Sequence, residues 1–121
     1  MYNIDLYRTL SGDSPVQEYI DDLVKNNDEL ELTQINVYLK LLEAHGFTIN
    51  NVKANAIRKI RGDIWELRPK SSRVFFFHYQ NGTFVLLHAY KKQGQKAPPK
   101  EIEKAEREMR EYRRRHNEKH N

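Results

Sequence analysis

Arg73-Val74-Phe75-Phe76-Phe77-His78-Tyr79-Gln80-Asn81-Gly82-Thr83-Phe84-Val85-Leu86-Leu87-His88-Ala89-Tyr90 is the stretch that decides the fold. Two runs rich in aromatic and β-branched residues flank Asn81-Gly82. That dipeptide enters the left-handed region easily and so makes the two-residue turn of a β-hairpin. With such a turn, Phe77 opposes Leu86, Phe75 opposes His88 and Arg73 opposes Tyr90. Opposed residues share a face of the sheet. One face then carries Val74, Phe76 and His78 against Val85, Leu87 and Ala89; it is small and mostly apolar, and suits packing onto helices. The other carries Arg73, Phe75, Phe77 and Tyr79 against Phe84, Leu86, His88 and Tyr90, with Lys92 next. Apolar residues fill its turn end, and its open end gathers Arg73, His88, Tyr90 and Lys92.

Residues 57–68 hold a further strand, clearest at Ile64-Trp65-Glu66-Leu67-Arg68 and ended by Pro69, which cannot continue a ladder. If Trp65 and Leu67 face the helices, Arg68 joins the cluster. Towards the N-terminus, residues 2–8 alternate weakly, with Tyr2, Ile4 and Leu6 on one face. Ser14 is placed to cap a helix that Pro15 opens, with Gln17 closing a capping box. Val16, Tyr19, Ile20 and Leu23 follow at helical spacing, and residues 25–28 break the helix. A second helix over residues 29–44 carries Leu32, Ile35, Leu39 and Leu42, and ends at Gly46. Beyond the hairpin, residues 93–99 read as a loop. Pro99 starts a last helix with Ile102, Ala105, Met109 and Tyr112 on its apolar stripe and Glu103–Arg107 and Glu106–Arg110 as supporting pairs. Residues 113–121 read as a flexible basic tail. The reading is one α+β domain over residues 1–121, in the order β-α-α-β-β-β-α.

Composition narrows the function. The 121 residues include 21 Lys+Arg and 17 Asp+Glu, a net charge of +4. Residues 1–50 hold three basic and nine acidic side chains, whereas residues 51–100 hold eleven basic and only two acidic ones, Asp63 and Glu66. A basic segment interleaved with aromatics suits phosphates and bases, although it also suits a soluble surface or an acidic protein partner. The lack of cysteine excludes a disulfide scaffold, a Cys-ligated metal and thiol catalysis. The five histidines show no metal-ligand spacing, and there is neither a Gly-rich phosphate loop nor an H-E-x-x-H motif. No metal and no cofactor are therefore expected. No apolar run approaches the roughly 20 residues of a membrane helix, and the first residues lack the pattern of a signal peptide. A cytoplasmic protein without membrane association is expected.

The cluster at the open end of the hairpin has its own chemistry. Arg73, with Arg68 and Lys92, could hold a phosphodiester and stabilise the added charge of a pentacovalent transition state. His88 could move a proton near neutral pH, and Tyr90 could stack on a base or orient a hydroxyl. Each also has a plain structural reading. His88 beside Phe75 could be a satisfied histidine, Tyr90 an ordinary strand residue, and Arg73 a cross-strand partner of Glu66.

The residues Ile64-Trp65-Glu66-Leu67-Arg68, Arg73-Val74-Phe75-Phe76, Leu86-Leu87-His88-Ala89-Tyr90-Lys91-Lys92, Lys96-Ala97-Pro98 and the helix from Ile102 to Tyr112 resemble the HigB-like branch of the RelE/ParE toxin superfamily. The resemblance implies a RelE-like fold: a twisted, mostly antiparallel sheet with an N-terminal helical hairpin and a C-terminal helix. It implies a metal-independent endoribonuclease that enters the ribosomal A site and cuts mRNA through attack of a 2′-hydroxyl on the adjacent phosphate. The implied partner is a cognate helix-turn-helix antitoxin of the HigA-like kind, through which operator DNA is bound indirectly. Under this resemblance Arg68, Arg73, His88, Tyr90 and Lys92 are the catalytic set, and Lys91, Lys96, Arg58, Lys59 and Arg61 contact RNA. Glu66 departs from relatives that carry a basic residue there. Two alternatives stay open: a ParE-like gyrase inhibitor of the same fold without nuclease chemistry, and a nucleic-acid-binding module without catalysis.

Overall fold

The computed structural model describes residues 1–117. The chain runs β1 (Asn3–Leu6), α1 (Pro15–Lys25), α2 (Glu29–His45), a 3-10 turn (Gly46–Asn51), β2 (Ile57–Arg61), β3 (Ile64–Leu67), β4 (Ser72–His78), β5 (Thr83–Lys91) and α3 (Pro99–Asn117). One five-stranded sheet has the order β1-β5-β4-β3-β2, with β1 parallel to β5 and the other pairs antiparallel. The α+β class, the helical hairpin and the C-terminal helix agree with the sequence reading.

Several local details differ from that reading. The expected single strand over residues 57–68 is two strands, β2 and β3, folded back at Gly62-Asp63, where Gly62 has a φ of +56°. The order is therefore β-α-α-β-β-β-β-α. Residues 113–117 continue α3 and are held by contacts, including Arg113 to Asp63 at 2.8 Å and the stacking of His116 on Tyr112 at 3.7 Å. The rest of the expected tail, residues 118–121, lies outside the described residues. The pair expected between Glu106 and Arg110 gives way to one across the fold, where Glu106 meets Arg61 at 3.1 Å.

The helix boundaries follow from local chemistry. The Ser14 hydroxyl accepts from the Gln17 amide at 3.1 Å, and Pro15 occupies the first turn of α1. The Gln17 side chain reaches forward to Asp21 rather than back to the cap, so only half of a capping box forms. Asp28 caps α2. Gly46 ends α2 with a φ of +56°, and a Cβ there would lie 2.6 Å from the Tyr2 ring. Only glycine fits both demands.

The β4–β5 hairpin turns through Asn81-Gly82, with φ values of +57° and +67°, but the loop is the three residues Gln80-Asn81-Gly82 rather than the expected two, since the Tyr79 amide donates to the Thr83 carbonyl at 2.8 Å. Its open end has the expected register, Arg73↔Tyr90 and Phe75↔His88. A β-bulge then shifts the ladder by one, giving Phe76↔Leu86, Phe77↔Val85 and His78↔Phe84. The extra residue, Leu87, points to the same side as His88. Phe84 and Leu86 consequently join Val74, Phe76, Leu67 and the α1–α2 side, while Val85 and Leu87 join Phe75, Phe77, Met109 and Tyr112 on the α3 side. This corrects the face assignment of those four β5 residues.

Buried polar groups fasten both layers. On the α3 side, His88 is 1 % exposed, with Nδ1 2.6 Å from Glu108 and Nε2 3.0 Å from Glu101. On the α2 side, Tyr19 donates to Ser72 Oγ at 2.7 Å, and Ser72 donates to Glu31 at 2.6 Å. The Ser71 amide adds a second bond to Glu31 at 3.1 Å. Burial pushes the Glu31 carboxyl up, but the bonds from Ser72 and Ser71 and the charge of Lys91 outweigh it, so the carboxyl titrates below its usual 4.5.

Two outcomes follow for stability. His88→Ala strands two carboxylates against the sheet and should cost about 3 kcal/mol or more in urea unfolding; an unchanged midpoint would show that α3 docks without this contact. Because Glu31 has a lowered folded-state pKa, its contribution is complete above about pH 4.5 and is lost as pH falls through the folded value. Glu31→Gln should therefore flatten the acid side of the stability–pH curve, and a slope equal to wild type would refute that role.

Candidate functional site

The turn over residues 68–72 sets the site, because β3 ends there and β4 begins. Glu66 and Arg73 project to the α3 face, and Leu67 and Val74 to the opposite one. Glu66 is 4 % exposed, and a buried carboxylate needs partners. It finds Arg68 Nε at 3.7 Å, Arg73 Nε at 4.0 Å and the Tyr90 hydroxyl at 3.1 Å, which donates to it. Arg73 Nη1 donates to the carbonyls of Lys70 and Ser72 at 3.1 and 2.8 Å, which fixes the guanidinium against the turn. Arg68 Nε is buried without a hydrogen-bond partner. Burial, and then the charge of Glu66, push the Tyr90 phenol well above its usual range, so it stays protonated and acts as a donor.

This cluster has two sides. Towards α3 it is roofed by residues 92–97: a cleft of only about 10 Å³ remains between Glu66, Arg73 and Tyr90 and the loop that carries Lys92 and Lys96. That is hardly room for one water. On the other side Arg73 and Arg68 border an open groove of about 330 Å³, lined also by Tyr38, Ala54, Asn55 and Lys70. Asn55 and Lys70 both hold left-handed backbone, with φ values of +60° and +49°. For a lysine this conformation costs about 1–2 kcal/mol, and such strain is concentrated at functional sites.

The residues expected from the sequence separate accordingly. Arg68, Arg73, Tyr90, Lys92 and Lys96 come together around Glu66 or its roof. His88 lies on the same face but beneath α3, with both ring nitrogens facing carboxylates. Lys91 points to the opposite face, 3.9 Å from Asp28. Arg58 and Lys59 are exposed on the edge strand β2, and Arg61 is engaged by Glu106. Sequence reading missed Tyr38, Asn55 and Lys70. The Pro69-Lys70 turn was visible as a strand end, but nothing local ties Tyr38 of α2 to it. Among the described residues no group of three or more His, Cys, Asp or Glu side chains could hold a metal ion. Nor is any helix among them long and apolar enough to cross a membrane.

Residues 21–110 match the family described as phage-derived protein Gp49-like (DUF891). The match starts within α1, ends within α3 and includes every residue of the cluster and the groove. A search among curated proteins gives no match. The chain therefore belongs to the phage-derived Gp49-like family, which is related to the toxins of toxin–antitoxin systems.

Proposed function

We propose that this protein is the toxin of a type II toxin–antitoxin pair and acts as a ribosome-dependent mRNA endoribonuclease. The observation that carries the reading is the meeting of Arg68, Arg73 and Lys70 at one open groove, with Glu66 and Tyr90 behind them. Guanidinium groups fixed before the substrate arrives stabilise charge that develops later, with little reorganisation. In the proposed reaction the 2′-oxygen of one nucleotide attacks the adjacent phosphorus. The 5′-oxygen of the next nucleotide leaves, and a 2′,3′-cyclic phosphate and a 5′-hydroxyl result. Arg73 and Arg68 bind the non-bridging oxygens, whose charge grows in the transition state. Glu66 holds both guanidinium groups and the Tyr90 phenol in position.

The remaining expectations take their places within this reading. Lys92 and Lys96 on the roof, and Arg58 and Lys59 on the sheet edge, add positive charge towards an RNA backbone. His88 acts as a positioning residue through α3. Among the described residues no imidazole or carboxylate lines the groove, so what the chain offers there is charge stabilisation, and a message held in the ribosomal A site supplies the alignment. A helix-turn-helix antitoxin would be the partner that restrains the toxin. The closed cleft over Tyr90 favours one rival, a gyrase-binding toxin of the same fold without nuclease chemistry.

Induced expression should arrest growth and produce codon-spaced cuts in mRNA on ribosomes, whereas intact mRNA with DNA damage would select the rival. Arg73→Ala should lower cleavage by about a hundredfold or more; a fully toxic Arg73→Ala protein would end the phosphate-clamp role. Lys70→Gly relieves backbone strain while adding chain entropy in the unfolded state. Its stability should stay within about 1 kcal/mol of wild type. Its RNA affinity should fall, with the salt dependence of binding shallower by about one unit of slope. An unchanged salt slope would place Lys70 outside the RNA path.

A further inference from the structure

We propose that the groove beside Arg73 is a nucleotide subsite, in which Arg68, Lys70 and Arg73 hold a phosphate and Asn55 reads the base attached to it, with the largely buried Tyr38 beneath. This deepens the RNA-cutting reading and rests on it, since it names the residues that would set where the message is cut.

Size, chemistry and availability support the assignment. At about 330 Å³ the groove has the volume of a small-ligand site. Three of its six lining residues are cations, and the Glu66 carboxylate that meets two of them lies behind the groove rather than in its lining. The other three are an aromatic ring, a carboxamide and an alanine whose methyl leaves room. A carboxamide presents a donor and an acceptor side by side, the pairing that matches the edge of a nucleobase. Sequence-specific RNA recognition reads the exposed edges of unpaired bases in this way.

Two asparagines close in sequence illustrate the difference in use. Asn50 bonds both backbone groups of Ile57, accepting from N at 3.0 Å and donating to O at 3.1 Å, and is fully spent on structure. The exposed Asn55 has no side-chain hydrogen bond among the described residues, and its left-handed backbone at φ +60° is tolerated better by asparagine than by most residues. Across the groove, Lys70 has a similar backbone at φ +49°. The Tyr38 ring is steadied from one side by Lys53, whose ammonium lies 5.8 Å from its centroid.

The test is an NMR titration of the whole 15N-labelled chain with the four nucleoside 3′-monophosphates and with ribose 5-phosphate, which lacks a base. At least one nucleotide should bind about threefold or more tighter than ribose 5-phosphate and shift the Asn55 side-chain amide signal. Asn55→Ala should weaken the preferred nucleotide by about three- to tenfold and leave ribose 5-phosphate unchanged. Equal binding of ribose 5-phosphate and all four nucleotides would overturn the proposal, as would an Asn55→Ala protein that keeps the wild-type ranking. Mapping mRNA cuts in cells separates this from the wider reading. Base-selective binding by a chain that cuts no mRNA would remove the nuclease and keep the subsite. Cuts at unchanged positions in Asn55→Ala would keep the nuclease and remove the subsite.

Discussion

A carboxylate almost out of water must be neutralised where it lies, and Glu66 is in that position. Its neighbours follow from this need. Arg68 and Arg73 approach it from the two ends of one turn, and Tyr90 donates to it from the next strand. Arg73 in turn anchors the carbonyls of the turn itself. The side chains with the chemistry of a phosphate site are thus tied to one buried negative charge. Removing that charge would leave two guanidinium groups crowded together in a half-buried setting, where like charges repel strongly.

The hairpin explains both what was legible in the sequence and what was not. Asn81-Gly82 was readable because both residues must take positive φ, and few dipeptides allow that. The pairing of Arg73 with Tyr90 followed from counting outward from the turn, and it is correct. The loop is one residue longer than the two-residue turn, since the Tyr79 amide donates to the Thr83 carbonyl, and this moves the pairs at the turn end by one. The bulge at Leu87 then offsets that extra residue, so the open end has the counted partners. A bulge leaves little trace in one sequence when both alternatives are apolar, as Val85, Leu86 and Leu87 are. The Gly62-Asp63 turn was a visible signal that went unused, and so one strand was read where two exist.

Burial was the other blind spot. Glu108 sits in the apolar stripe of α3, and in α2 the buried stripe runs through Glu31, Ile35, Tyr38 and Leu42, with the expected Leu32 and Leu39 only half-buried beside it. Each carboxylate is matched by a polar group from a distant part of the chain, His88 and Ser72 respectively. Patterns of hydrophobicity do not show such matches, because the two members are read in separate windows. The same limit hid the groove, whose walls come from α2, the segment after the 3-10 turn and the β3–β4 turn. Family membership and fold are settled at the level of elements, whereas the surface that would meet RNA is assembled from contacts across them.

The first strand bears on how the molecule comes into being. Asn3 lies beside Thr83 in a parallel pair, so the opening residues of the chain find their neighbours only after most of it has been made. Contacts so remote along the backbone are slow to form. Tyr90 also arrives with β5, and the helix that covers His88 comes later still. Arg68 and Arg73 are therefore made before the strand that carries Tyr90, and the cluster around Glu66 is complete only once β5 has paired with β4.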